Sequence, residues 1–439
     1  MTELLIHPGA ALHGQVRVPG DKSISHRVLL LAALAQGDSH VRGFLSSGDC
    51  QATVCCLRAL GIAVDETDAT TLTVHGRGLH GLRPPSTPLD CQRSGTTMRM
   101  LSGIMAGQAF TSVLTGDAQL RRRPMERVAE PLRLMGAHVE TTDGHAPLTV
   151  RGSHLHGIDY HLPVASAQVK SALLLAGLYA DGSTVLHEPG PARDHTERML
   201  RAMIVPRVIP GATAGPLTRS GSAWALDPAQ VDHLRPLDIV VPGDFSSAAF
   251  LLVAGALVPG SEVTVSGVGI NPTRTGLLDV LRDMGARIDV QNESEQGGES
   301  VADLVVRPGA LHSAQVRGDR VVRMIDEFPI LAVAATQAQG PTIVHDAAEL
   351  RVKETDRIAT VVTELRKLGA QIEPYEDGFA VSGPTSLRGT VVESHGDHRL
   401  AMALAVAGLV AEGETTVRDT EWIADSFPGF EELLRSLLA

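Results

Sequence analysis

VRVPGDKSISHR at Val16–Arg27 and VVPGDFSSAA at Val240–Ala249 spell the same V-P-G-D turn twice, close to half a chain apart. Each turn leads from a short β-like run into a long apolar helix. The first copy carries Lys22 and Arg27, and the second carries no cation. A turn used twice points to a duplicated domain. A charge placed on one copy points to a task that only that copy performs.

The repetition extends beyond the turns. GDKSISHRVLLLAALAQGDSHVRGF reads as a polar Gly/Ser start, an apolar helix, a glycine turn and a short strand, and CQATVCCLRALGIAV follows as a second helix. The same order begins again at CQRSGTTMRMLSGIMAG, PVASAQVKSALLLAGLYADG, PGDFSSAAFLLVAGALVPG, IDEFPILAVAATQAQG and SHGDHRLAMALAVAGLVAEG. The chain is thus six units of about 70 to 80 residues, each helix–strand–helix followed by strands, three to a half. Gly61, Gly136, Gly285 and Gly369 fall where a second helix needs a residue that tolerates left-handed geometry. The third unit departs: AMIVPRV has no glycine there, and Pro206 follows. The pattern predicts two similar domains, one of residues 1–20 with 242–439 and one of residues 21–241, hinged at Val18–Asp21 and Val240–Asp244. The N-terminal strand is expected to complete the C-terminal half.

A chain of 439 residues can build two or three domains with full cores. Aromatic residues are scarce, so Leu, Val, Ile, Ala and Met must fill them. A formal charge of −12 argues against a nucleic-acid binder, whose contact face needs a basic surplus. It leaves room for anionic ligands, which need only a local cluster of cations. The start, MTELLIHPGA, has neither the basic region nor the apolar run of a signal peptide, and LLLAALA and LLLAGLYA are too short to span a membrane. Cys50, Cys55, Cys56 and Cys91 have neither C-x-x-C nor finger spacing. A reduced, cytoplasmic protein with buried thiols is the expectation.

Each unit's first helix starts in Ser, Thr, Gly or Asp, the chemistry of an N-cap. A helix N-terminus offers unpaired N–H groups and partial positive charge to phosphate or carboxylate. Three such ends per domain, aimed at the interdomain cleft, would make it positive. Added cations mark where anions sit: Lys22, Arg27, Arg93, Arg99, Lys170 and Arg399, with Arg121, Arg122 and Arg123 later in the second unit and Lys353 and Arg357 one helical turn apart in LRVKETDR. Asp326 and Glu354 lie among these cations. A carboxylate so placed keeps its charge and can accept a proton from a hydroxyl or exchange one with carbon. A site that only binds phosphate gains nothing from such acids, so the cluster points to chemistry. Plainer readings exist: a solvated Arg triplet, ordinary helix surface at 353–357, and capping by Ser23, Ser25, Ser94, Ser166 and Asp326. His395-x-x-His398 has no third metal ligand nearby in sequence. There is no G-x-S-x-G elbow, P-loop or dinucleotide fingerprint.

PGDKSISHR, RSGTTMR, LRRRPM, SAQVKSALLLAG, LRVKETDR, GDHR and SFPGF, in this order, resemble the 5-enolpyruvylshikimate-3-phosphate (EPSP) synthases across nearly the whole chain. SAQVK (166–170), RDHTE (193–197) and NPTR (271–274) resemble the subgroup often insensitive to glyphosate. The resemblance implies an α/β fold of two domains, an inside-out α/β barrel with helices inside and sheets outside. It implies transfer of the enolpyruvyl group of phosphoenolpyruvate to the 5-hydroxyl of shikimate 3-phosphate, in chorismate and aromatic amino acid biosynthesis. Lys22, Ser23, Arg27, Ser166, Gln168, Arg193, Asp326 and Lys353 would hold shikimate 3-phosphate. Lys22, Gly95, Arg123, Gln168, Arg357 and Arg399 would surround phosphoenolpyruvate. Asp326, Glu354 and Lys22 would be catalytic, with Asp326 the candidate base and Glu354 the proton donor to C3. No metal, organic cofactor, nucleic-acid or membrane partner is implied, and a monomer is expected.

Two departures stand out. Arg93 replaces the family's usual Asn, and Asp425 stands where some members have a phosphoenolpyruvate-contacting Lys. Weak inhibition by glyphosate is expected from the subgroup motifs and Arg93, against which Gly95 leaves room for the inhibitor. The rivals are the sister transferase acting on UDP-N-acetylglucosamine, which commonly uses a loop cysteine near the arginine triplet, and a non-catalytic phosphate binder of the same fold. DAQLRRRPM has no cysteine.

Overall fold

A computed structural model describes residues 2–209 and 214–438. The chain divides into two compact units. One holds residues up to Pro19, Pro242–Glu295 and the chain from Ser300; the other holds Gly20–Val241 with Gln296–Glu299. Each unit has its own apolar core.

In the Gly20–Val241 unit three helices, Lys22–Leu34, Gly95–Ala106 and Ala167–Gly177, are buried along almost their whole length. Such helices are apolar on every side because every side packs. Gly48–Ala59, Glu126–Leu134 and His195–Met203 alternate with them and keep a solvent face. Three four-stranded sheets share one pattern: a short strand runs parallel to the second, and two further strands follow antiparallel. The other unit repeats this with buried helices Phe245–Leu257, Phe328–Thr336 and His398–Leu409. His13–Val16 supplies the parallel edge strand beside Glu262–Gly269. Glu3–Ile6 lies antiparallel to Thr415–Arg418 in the one three-stranded sheet among them, where an antiparallel strand stands in the other sheets.

The missing glycine of the third unit now has a cause. Gly61, Gly136, Gly285 and Gly369 all take φ between +84° and +97°, as a left-handed C′ position requires. His195–Met203 instead passes straight into the strand Ile204–Pro206, through an extended Ile204 at φ −62°, ψ 122°. With no reversal there is nothing for a glycine to do.

Two features lock the Gly20–Val241 core. Gly103, on the Gly95–Ala106 helix, lies so close to its neighbour that a Cβ would come 2.1 Å from the carbonyl oxygen of Ala172. The second is a polar chain through three helices. His26 Nδ1 meets Thr53 Oγ1 at 2.7 Å, Thr53 meets Thr97 Oγ1 at 2.7 Å, and Thr97 donates to Ser94 Oγ at 2.7 Å. Each hydroxyl has one proton, so the last bond sets the direction of all three, and the network assigns the proton to His26 Nδ1. Ser94 in turn caps the Gly95–Ala106 helix. Burial dominates the environment of His26 and pushes its pKa down to about 3. The four cysteines are free thiols; Cys55 is exposed, against the expectation of buried ones.

Two outcomes follow for stability. Gly103→Ala forces backbone apart and costs about 1–3 kcal/mol, whereas Gly215→Ala, whose Cβ meets nothing within 4 Å, stays within about 0.5 kcal/mol; denaturation midpoints compare them. His26 is neutral in the fold, while an ordinary imidazole titrates near 6.5. Between those values the unfolded chain binds more protons, so this contribution is complete above pH 6.5 and drains as pH falls toward 3, by about 1.4 kcal/mol per pH unit. His26→Gln removes that slope, and unfolding at pH 7, 6 and 5 should show a flatter decline than in wild type. Parallel declines would assign the slope elsewhere.

Candidate active site

The starts of the buried helices carry several of the residues expected at the site: Lys22, Ser23, Gly95, Gln168 and Arg399. In the Gly20–Val241 unit, Asp21 caps Lys22–Leu34 by accepting from Ile24 N at 2.9 Å. Lys22 Nζ donates to Asp49 at 3.0 Å. Arg27, one turn on, is buried and braced on three sides: Nε donates to Thr196 Oγ1 at 2.8 Å, NH1 to the Ser23 carbonyl at 2.9 Å, and NH2 to Ser171 Oγ at 3.0 Å. Arg193 donates to Ser23 Oγ at 3.2 Å. Ser23, Arg27 and Arg193 therefore form one cluster, drawn from one helix start and the loop before His195–Met203.

A second cluster sits at the next two helix starts. Arg99 NH1 donates to Gln168 Oε1 at 2.6 Å and NH2 to the Pro124 carbonyl at 3.0 Å. Gln168 Nε2 then donates to Thr96 Oγ1 at 2.8 Å, which fixes its amide. Ser166 caps its helix, accepting from Val169 N at 3.4 Å. A Cβ on Gly95 would stand 3.0 Å from Arg99 NH1 and 3.3 Å from Arg123 NH1, so the glycine lets two guanidiniums approach one helix N-terminus. Of the arginine triplet, Arg121 and Arg122 are exposed, and only Arg123 turns inward. Arg93 Nε donates to Gln119 Oε1 at 2.8 Å.

Lys170 goes elsewhere, correcting its reading as a ligand cation. It is fully buried between Glu188 at 2.7 Å and Glu197 at 2.6 Å, 5.8 Å above the Trp224 ring. It is a core ion cluster.

In the other unit the centre is Arg357, first residue of the helix Arg357–Lys367 and 1% exposed. Its guanidinium meets Asp397 at 2.8 Å, Glu354 at 2.7 Å and Asp326 at 3.3 Å. Burial opposes its charge, but the pull of Asp397, Glu354 and Asp326 outweighs burial and holds its pKa above the usual arginine value. Asp397 caps His398–Leu409 through the amide of Arg399 at 2.9 Å, and Arg399 NH2 lies 3.7 Å from Asp326. Burial pushes the Lys353 ammonium below its ordinary pKa, with Asp326 and Glu349 pulling it back. Asp326, Lys353, Glu354, Arg357 and Arg399 are thus brought together. His395 Nε2 is drawn instead to Glu364, at 2.7 Å.

Sequence reasoning missed the partners. Asp397 stood in the quoted GDHR run, but nothing local marks it as the acid for Arg357. The cation of the second V-P-G-D turn was missed too: Arg274 NH2, from NPTR, reaches the capping Asp244 at 2.8 Å and Ser246 Oγ at 2.9 Å. Ser246 Oγ also donates to Glu327.

Each unit thus holds clustered cations, and in the unit of Arg357 they are paired with partly accessible carboxylates, groups able to bind anions and to exchange protons. The family model for EPSP synthase (3-phosphoshikimate 1-carboxyvinyltransferase) matches residues 6–434. The 3-phosphoshikimate 1-carboxyvinyltransferase of Geobacter sp. (strain M21) is 51% identical over 437 residues, covering 99% of both chains. That of Salinibacter ruber is 52% identical over 436 residues, covering 98% of both. A solved EPSP synthase from Acinetobacter baumannii superposes with TM-score 0.87 at 44% identity over 100% of this chain and 98% of its own. The enolpyruvyl transferase NikO from Streptomyces tendae, at 21% identity and TM-score 0.78, shares the fold over 99% of this chain and 97% of its own. With a family model spanning nearly its full length and relatives at half identity, this chain belongs to the EPSP synthase family, with that family's two-domain inside-out α/β barrel.

Proposed function

We propose that this enzyme joins phosphoenolpyruvate to the 5-hydroxyl of shikimate 3-phosphate and releases phosphate, the activity for which its relatives are named. The observation that carries the reading is Arg357, one buried guanidinium holding three carboxylates. An anion-binding protein has no use for that arrangement. A transferase that must take a proton from oxygen and give one to carbon does.

Ser23, Arg27, Ser166, Gln168 and Arg193, with Lys22, Asp326 and Lys353, hold shikimate 3-phosphate. Lys22, Gly95, Arg123, Gln168, Arg357 and Arg399 surround phosphoenolpyruvate. Asp326 takes the proton of the 5-hydroxyl as its oxygen bonds to C2. Glu354 gives a proton to C3. The tetrahedral intermediate then returns the C3 proton to Glu354 as the C2–O bond to phosphate breaks, and phosphate leaves with the proton that Asp326 took from the hydroxyl. Phosphoenolpyruvate competes with Glu354 for Arg357, and the displaced carboxylate is free to take up the proton it donates. Fixed cations match charge as it moves, the term that usually dominates such catalysis. Exclusion of water from the bound substrates strengthens each of these charge contacts. Four free thiols support the reduced cytoplasm as its place.

Glyphosate inhibits weakly in this reading. Arg93 is committed to Gln119, with Asp117 at 3.9 Å, so the pocket wall differs from one built on Asn.

Phosphate release with phosphoenolpyruvate and shikimate 3-phosphate tests the assignment. Release with UDP-N-acetylglucosamine instead points to the sister transferase, and none with either leaves only a binder. Asp326→Asn and Glu354→Gln should each lower kcat by about 10²–10⁴-fold while KM changes far less. Glyphosate titration of wild type and Arg93→Asn gives a separate outcome: weak inhibition of wild type, tightened in the variant. Tight inhibition of wild type ends the Arg93 argument.

A further inference from the structure

One cluster lies apart from these helix starts, on the outer sheet of the Gly20–Val241 unit. The strands Asp159–His161 and Thr184–His187 run parallel, in a register that sets His161 beside His187 and Asp159 beside Val185. Side chains alternate along a strand, so Asp159 and His161 share one face. Leu186 is buried in the core, which turns its neighbour His187 outward to the same face. The two imidazoles stack with centroids 4.1 Å apart and planes 8° from parallel, and Asp159 Oδ1 meets His187 Nε2 at 2.7 Å. One ligand atom from each residue lies within 4.8 Å of the other two.

We infer that Asp159, His161 and His187 form a surface site for a late first-row divalent cation, for which Zn²⁺ serves as probe. Two imidazole nitrogens and one carboxylate oxygen suit this class, with bonds of about 2.0–2.2 Å. Tetrahedral ligands at that radius stand about 3.3 Å apart. Parallel rings do not aim both nitrogens at one point, so ligation asks the His161 and His187 rings to turn out of their stack about their side-chain bonds, on a fixed backbone. That backbone is held from both sides: Leu162 N donates to the His187 carbonyl at 2.9 Å, and His187 pairs across to Ala223. The ion replaces the proton now shared by Asp159 and His187, and water fills the open positions. Binding therefore releases that proton.

Other His–Asp groups show what this one has in addition. His75 is bridged by Asp38 on Nδ1 at 2.8 Å and Asp65 on Nε2 at 2.9 Å, on opposite edges of the ring, so no single ion reaches all three. Bonds to Asp65 and Asp38 raise the His75 pKa, as suits a proton-holding bridge. His154 and Asp181, 2.9 Å apart, supply two ligands. Among the described residues, Asp159, His161 and His187 are the group of three that converges.

The inference is independent of the enolpyruvyl transfer, and its test reads metal alone. Metal-stripped, full-length protein is titrated with Zn²⁺ at pH 7.5 against a chromophoric chelator. Wild type should bind one ion per chain at this site, with a higher unfolding temperature when loaded. His161→Ala and His187→Gln should each weaken that binding at least tenfold and abolish the temperature rise. His187→Gln retains a polar group for Asp159, which separates lost ligation from lost packing. Equal stoichiometry and affinity in wild type and both variants would overturn the site, as would no binding by wild type.

Discussion

A helix buried on every face can do chemistry only at its ends. All twelve residues of His398–Leu409 are buried, as are all nine of Phe328–Thr336. The sides of such helices are spent on packing, so sequence variation that matters to a ligand is confined to the cap and the first turns. Asp21, Ser94, Ser166, Asp244 and Asp397 each turn a side chain back onto the helix they start. The first turns then differ: Lys22 and Arg27, Gly95 and Arg99, Gln168, Arg399. One scaffold repeated six times presents six starts that can be dressed separately, which is how a duplicated fold acquires an asymmetric site.

This also resolves the uneven charge of the two V-P-G-D turns. Both aspartates cap, but a buried cap carries a full negative charge that needs an answer. Asp244 receives it from Arg274, 30 residues along, 3% exposed. The second turn is therefore not without a cation; its cation comes from another segment and is fixed in the core. Lys22 beside Asp21 reaches instead across to Asp49 and stays at the margin of solvent, with 17% of its side chain exposed.

The repeat was legible in sequence because its signals are local. Apolar runs, caps and the four left-handed glycines each declare themselves within one turn of chain. The departure at Ile204 was visible as a missing glycine, but its cause needed the backbone that runs directly into a strand. Within the site, most cation positions were legible from their place at helix starts. Their partners were not. Gln168 for Arg99, Asp397 for Arg357 and Arg274 for Asp244 join residues 69, 40 and 30 positions apart, and no spacing rule reaches that far. Lys170 was misread for the same reason: it occupies a first-turn position like the others, and only the fold shows that it points into the core. The same holds for Asp159, His161 and His187, joined by strand register rather than by motif.

Lys170 and Arg357 make the sharpest comparison, because both are buried cations ringed by acids. At Lys170 the acids are as dry as the cation, Glu188 at 3% and Glu197 at 0% side-chain exposure. Burial holds the Glu188 carboxyl above its ordinary pKa even with Lys170 beside it. Removing any member strands the others, so the cluster is structural. At Arg357 only Asp397 is equally dry, while Asp326 and Glu354 keep 15% and 21% of their side chains in contact with solvent. A buried guanidinium with one fixed acid and two accessible ones is anchored from behind and open in front. An incoming anion can take the place of an accessible carboxylate without unmaking the anchor, and the carboxylate it displaces is left beside the substrate. The ion pairs are alike in distance. The difference in water access separates a core support from a cluster open to the proton transfer proposed for it.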